Sequence, residues 1–299
     1  MVRIRWQRIR NRMENNKIKI IFVGTPEFGA IILDGMINGG YRPILVITAQ
    51  DKPVGRKKIL TPSPVKVLAQ RYQIPVRQPE KIINLKSEIL GLKPDLIVVA
   101  AYGQILPKEI LDIPKYGCLN VHPSLLPRWR GPSPIQYTIL NGDKKTGVTI
   151  IKMTEKVDAG PIVAQKELNS LTGKETFEML NIKLAKLGAE LLTETIPRWL
   201  KGEIKLKLQD ESKATYSKIL TFEDGKIDWK KPIDYIDRQV RALNPEPGTY
   251  TFYKGKILKI LETEIQNNKL IIKKVHLSGK KPMSFDEFIR GHPDFSLPN

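Results

Sequence analysis

Five short apolar runs in the first 153 residues constrain the fold more than any other feature. They are "KIKIIFVG" (17–24), "PILVITA" (43–49), "PDLIVVAAYG" (94–103), "GCLNVHP" (117–123) and "TGVTIIKM" (146–153). Each has the length of a strand and the continuous hydrophobicity of one buried on both faces. Helical segments lie between them. "TPEFGAIILDGMINGG" reads as a turn, a helix and a Gly stop, and "SPVKVLAQRYQ" (63–73) as a helix with Ser63 at its N-cap. The alternation predicts an α/β, Rossmann-like domain with a parallel sheet covered on both faces. In such sheets ligands bind outside the carboxyl ends of the strands.

From Glu175 to Leu200 the pattern changes to a long amphipathic helix, with Phe177, Leu180, Leu184, Leu187 and Leu191 at helical spacing. Periodicity is lost in "KGEIKLKLQDESKATYSKIL", which reads as a linker. A short helix near 232–243 and the segments "TYTFY", "KILKIL" and "KLIIKKV" then predict a small β-rich domain. The domain boundaries expected from this pass are a basic N-terminal extension at 1–16, a catalytic domain at 17–204, a linker at 205–216 and a C-terminal domain at 217–299.

Composition narrows the function. The formal net charge is +19 over 299 residues, an excess that suits a polyanion such as nucleic acid or else a Lys-rich solvated surface. One cysteine, Cys118, and three widely spaced histidines leave no metal cage and no internal disulfide. No apolar run reaches the roughly 18 residues that span a bilayer. These features read as a soluble protein of a reducing cytoplasm with no membrane partner. The opening "MVRIRWQRIRNRMENN" carries five Arg and one Glu, lacks the apolar stretch of a secretory signal, and reads as a dispensable arm.

Three segments could carry chemistry. In "CLNVHPSLLPRWRGPSP" (118–134), period two puts Asn120 and His122 on one side of a strand and Val121 on the other. In "EKVDAGPIV" (155–163), Asp158 precedes Ala-Gly-Pro and could be held against the same rim; by itself it reads as a turn former. "QDKPVGRKKILTPSP" (50–64) places Lys52, Arg56, Lys57 and Lys58 in what reads as an exposed, mobile loop at the end of the second strand. "VGTPEFG" opens a helix after a strand but is neither G-x-G-x-x-G nor a Walker loop, so it is assigned no phosphate role. An amide donor, an imidazole and a carboxylate without a nucleophilic Ser or Cys suit acyl transfer in which the substrate brings the nucleophile. Asn and His would stabilise an oxyanion, and Asp with His would manage a proton.

"NVHPSLLPRWRG" resembles the signature of the folate-dependent formyltransferases. "FVGTPEFG", "PSPVKVLA", "VVAAYGQILP", "DAGP" and "RALNPEPGTY" match the family in order, from about Lys17 to "GKKPM" at 279–283. The basic loop, "RALNP" and "GKKPM" are similar to the tRNA-specific branch. The resemblance implies an OB-like C-terminal domain that grips tRNA. It implies transfer of a formyl group from 10-formyltetrahydrofolate to the α-amino group of methionine on initiator tRNA, by a monomer without a metal. Carried over by position, Asn120, His122 and Asp158 form the catalytic trio. Ser124, Leu125, Leu126 and Pro127, with Tyr102, Gly103, Ile105 and Leu106, form the folate site. Lys52, Arg56, Lys57 and Lys58 bind tRNA. Position 123 is Pro where a small residue is more usual, and residues 1–16 are additional to the family pattern.

Overall fold

The computed structural model describes residues 18–55, 58–169 and 171–297. The arm 1–16 and two of the basic-loop residues, Arg56 and Lys57, lie outside them. The chain divides into two compact units, one formed by 1–130, 147–168 and 181–216, the other by 131–146, 169–180 and 217–299.

The first unit holds β1 (Ile20–Gly24), α1 (Glu27–Asn38), β2 (Leu45–Ile47), β3 (Lys52–Val54), β4 (Ile59–Thr61), α2 (Pro64–Arg71), β5 (Val76–Arg77), α3 (Lys86–Leu92), β6 (Leu96–Ala100), α4 (Lys108–Leu111) and β7 (Cys118–His122). Seven strands form one sheet in the order β5-β2-β1-β6-β7-β8-β9, where β8 is Gly147–Lys152 and β9 is Ile162–Glu167. The pairs from β5 to β7 are parallel, as the βα alternation predicts. The last two are antiparallel, which makes the sheet mixed. The reason at β8–β9 is length: the connection 153–161 is too short for the crossover that a parallel neighbour needs.

The turn at "VGTPEFG" is a packing device. A Cβ on Gly24 would lie 2.6 Å from the Ala100 carbonyl oxygen, and one on Gly29 2.8 Å from the same atom. The Thr25 amide donates to the Ala101 carbonyl at 3.1 Å. This close approach ties β1 and the start of α1 to the end of β6. Ser63 caps α2 as predicted, accepting from the Lys66 amide at 3.1 Å.

The basic segment after β2 is not the open loop that its composition predicts. β3 and β4 pair antiparallel, Lys52 opposite Thr61 and Val54 opposite Ile59, to make a hairpin. Positive φ at Gly55 (71°) and Lys58 (48°) supplies the tight reversal. The hairpin is rooted by Asp51, which accepts from Lys66 Nζ at 2.6 Å and from Gln78 Nε2 at 2.7 Å. The hydrogen bond from Lys66 is the largest cause lowering the Asp51 carboxyl pKa.

The second unit contains α5 (Pro134–Leu140), the first residues of α6 (Phe177–Leu200) and α7 (Ile233–Leu243). It also holds a four-stranded antiparallel sheet of β10 (Thr249–Tyr253), β11 (Lys256–Gln266), β12 (Lys269–Leu277) and β13 (Met283–Ser284), followed by α8 (Phe285–Gly291). Ile236 and Val240 of α7, Leu258, Ile260 and Val275 of the sheet, and Phe288 of α8 close one core. The β-rich C-terminal expectation is met by this sheet. No helix among the described residues is long and apolar enough to cross a membrane.

Two measurements test this packing. Cys118 opens β7 with 1% of its surface exposed, and burial pushes its thiol pKa up to about 12. Iodoacetamide at pH 8 should therefore leave the native protein unlabelled and label it once denatured. A Cβ on Gly147 would strike the Lys166 carbonyl oxygen and lie 2.7 Å from Leu125 Cδ2. Gly147→Ala should cost about 1–3 kcal/mol of stability, read as a lower urea midpoint.

Candidate active site

Asn120 and His122 share a face of β7, as period two requires. His122 is 4% exposed and Asn120 half-buried. Val121, on the opposite face, packs towards α6, where a Cβ on Gly188 would lie 2.9 Å from Val121 Cγ1. Within the sheet, Asn120 is paired with Val99 and Ile151, and His122 with Thr149.

Asp158 joins them by a route the sequence does not suggest. Because β8 runs antiparallel, its last residues lie beside the amino end of β7, and the Met153 amide donates to the Cys118 carbonyl at 2.8 Å. The turn to β9 starts at the end of β7 away from His122 and reaches back to it. Asn120 Nδ2 donates to Asp158 Oδ1 at 3.2 Å, and Asp158 Oδ2 stands 3.6 Å from His122 Nδ1. The second distance is that of an ion pair and too long for a hydrogen bond. Asp158 itself has φ 50°, a left-handed conformation that Asp tolerates better than most residues.

The other ring nitrogen of His122, Nε2, is 2.9 Å from the Trp129 carbonyl oxygen. A carbonyl only accepts, so Nε2 carries a hydrogen and the ring is fixed in orientation. Nδ1 is then the nitrogen facing Asp158. Among the described residues no group of His, Cys, Asp and Glu side chains could hold a metal ion.

The loop after β7 is held from below by two residues that sequence reasoning missed. Thr149 Oγ1 donates to the Ser124 carbonyl at 2.6 Å and accepts from the Leu126 amide at 3.0 Å. Gln165 Nε2 donates to the Leu126 carbonyl at 3.0 Å. Ser124 is buried and its hydroxyl donates to the Arg128 carbonyl at 2.6 Å. Leu126 is buried with Ile151 and Ile162, whereas Leu125 and Pro127 are half-buried.

The residues of the 102–106 segment differ in exposure. Leu106 belongs to the interior cluster and Tyr102 packs against it, while Gly103 is exposed and Ile105 is 71% exposed. The Tyr102 hydroxyl is enclosed without a hydrogen-bond partner among the described residues, and burial pushes its pKa up to about 12. Lys52 and Lys58 are exposed on the β3–β4 hairpin, and no hydrogen bond or ion pair among the described residues joins them to Asn120, His122 or Asp158.

The segment 205–216 is not a free linker. Its Ile162–Lys207 bridge extends β9, and its Thr215 is bonded along the loop after β7. Arg130, 2% exposed, is paired through both terminal nitrogens with Glu211 at 2.9 and 2.7 Å. That hydrogen bonding is the main cause raising the Arg130 pKa and lowering that of Glu211. The polar cluster "QDES" is the only sequence signal that could have marked this strap.

Comparison with known proteins gives the family and the fold. A family profile described as Formyl transferase matches residues 16–196, and one described as Formyl transferase, C-terminal domain, matches residues 219–270. A methionyl-tRNA formyltransferase of Bacillus velezensis is 45% identical over 301 aligned positions, covering 91% of this chain and 94% of that protein. One of Geobacillus sp. is 50% identical over 245 positions, covering 81% and 77%. Among solved structures, an N-formyltransferase from Helicobacter canadensis has a TM-score of 0.65 at 21% identity, over 84% of this chain and 88% of that one. The methionyl-tRNA formyltransferase from Clostridium thermocellum has a TM-score of 0.59 at 19% identity, over 87% and 98%. The structural likenesses carry the fold, and the sequence relatives carry the family. The chain belongs to the methionyl-tRNA formyltransferase family.

Proposed function

We propose that this chain moves the formyl group of 10-formyltetrahydrofolate to the α-amino group of methionyl-initiator tRNA, and that Asn120, His122 and Asp158 carry the step. The observation that supports it is their convergence: Asp158 lies 3.2 Å from Asn120 Nδ2 and 3.6 Å from His122 Nδ1. The neutral amine attacks the formyl carbon, and the carbonyl π pair moves to oxygen. The second hydrogen of the Asn120 amide and the protonated Nδ1 of His122 stabilise that oxyanion. Asp158, facing Nδ1, takes through water the proton that the amine loses. The oxyanion's electron pair then re-forms the C=O bond as the C–N10 bond breaks; the C–N10 pair goes to N10, which takes up one proton. The products are formylmethionyl-tRNA and tetrahydrofolate.

In this reading Ser124, Leu125, Leu126 and Pro127 line the folate site, with Tyr102, Gly103, Ile105 and Leu106 opposite. The exposure of Ile105 and the enclosed Tyr102 hydroxyl support that placement. Lys52, Arg56, Lys57 and Lys58 bind the acceptor end of the tRNA, with Ile59 (62% exposed) and Leu60 (67% exposed) next in the chain on β4. The C-terminal domain adds affinity for the same tRNA, and the enzyme works as a cytoplasmic monomer.

The deciding experiment incubates the protein with 10-formyltetrahydrofolate and charged initiator tRNA and looks for formylmethionine. Formylation of an amino-sugar nucleotide, with none of the tRNA, would overturn the proposal. Within it, His122→Ala and Asn120→Ala should each lower kcat by about 10²-fold or more and leave tRNA binding nearly intact. Replacing Arg56, Lys57 and Lys58 together by Ala should raise KM for charged tRNA and leave folate binding unchanged. For every phosphate that loses its cation, the salt dependence of binding should flatten by about 0.7–0.9 in log–log slope. Superimposable salt series for the wild type and the triple variant would remove the hairpin from the tRNA site.

A further inference from the structure

Gln209 has no part in the reaction described above, yet its side chain is joined to the backbone that carries Asp158. Its Oε1 accepts from Arg130 Nε at 3.0 Å and Nη2 at 2.9 Å. Its Nε2 donates to the Asp158 carbonyl at 2.7 Å and the Gly160 carbonyl at 2.8 Å. These partners fix the amide orientation. A rotated amide would aim its hydrogens at a guanidinium, which only donates, and its oxygen at two carbonyls, which only accept.

Each end of this link is itself constrained. Arg130 is 2% exposed and gripped by Glu211, so the acceptor side of Gln209 is fixed to a guanidinium that has little room to move. The donor side spans a turn whose Asp158 has φ 50° and whose Gly160 sits where a Cβ would strike the Lys152 carbonyl oxygen. The same strap also touches the partner of His122. Thr215 accepts the Trp129 amide at its Oγ1 (2.9 Å) and the Arg130 amide at its carbonyl (2.9 Å), and the Trp129 carbonyl faces His122 Nε2.

We infer that Gln209 is a positioning residue: clamped by Arg130 and Glu211, it holds the 156–160 turn so that the Asp158 carboxylate stays against Asn120 and His122. The inference rests on the catalytic reading of Asp158 given above. It makes the segment 205–216 a support of the active site and not a passive tether. Charge is not what Gln209 contributes; two N–H donors aimed at two carbonyls are.

Gln209→Glu isolates that contribution, because it keeps an oxygen for Arg130 and replaces the donor with a second acceptor facing both carbonyls. Gln209→Ala serves if the first variant folds poorly. Backbone amide exchange should rise about tenfold or more in residues 155–161 and stay unchanged in β7. In formyl transfer to charged tRNA, kcat should fall roughly ten- to a hundredfold with little change in either KM. In an Asp158→Asn background the same substitution should have almost no further effect on kcat, since its action passes through the carboxylate. Unchanged exchange in 155–161 would overturn the inference whatever the enzyme acts on. A kcat loss that multiplies fully with Asp158→Asn would overturn it too, as an effect not routed through Asp158. Failure of the wild type to formylate tRNA would instead strike the functional reading, with the exchange measurement still deciding the role of Gln209.

Discussion

The carboxylate of Asp158 has to reach back along a strand to meet Asn120 and His122. β7 presents Asn120 and His122 on one face, but the antiparallel return of β8 delivers the next turn at the other end of that strand. Local pairing alone would leave Asp158 near Cys118. The left-handed backbone at Asp158, the Gly160 packing and the two bonds from Gln209 together bend the turn over the face. The close spacing of amide, imidazole and carboxylate therefore depends on residues distant in sequence.

The charges inside the first unit follow the same logic. A guanidinium as buried as that of Arg130 is stable only when its donors are matched, and Gln209 and Glu211 match them. Those partners come from a segment without helix or strand periodicity. Order in that segment comes from what it binds. His122 is treated similarly: one nitrogen is fixed to a main-chain carbonyl, which leaves the other to face the carboxylate.

Much of this was legible in the residues. The buried runs marked β1, β2, β6, β7 and β8, and Ser63 marked the start of α2, because each is a local pattern. The pairing of Asn120 with His122 follows from strand geometry. What the sequence concealed was long-range. A strand's hydrophobicity does not tell which way it runs, so the antiparallel β8 reads as part of a parallel sheet, and β9 is not among the apolar runs. Cations and a Gly look like a loop whether or not Lys52 finds Thr61 across a hairpin. Thr149, Gln165, Arg130 and Gln209 look ordinary in sequence because their roles are set by partners 16 to 81 residues away.

The close packing of Gly24 and Gly29 on the Ala100 carbonyl bears on where chemistry can occur in this sheet. Strand order reverses between β1 and β6, and in open α/β sheets that reversal opens the crevice where a diphosphate sits on a helix N-terminus. Here Gly24 and Gly29 both pack on the Ala100 carbonyl at that point. The Thr25 amide donates to Ala101, and the two glycines let α1 close against the end of β6. The strand order of a nucleotide fold is kept, while the first turn lacks the G-x-G-x-x-G pattern. Asn120 and His122 stand one strand along, on β7, where the mixed edge of the sheet supplies a turn that folds over them.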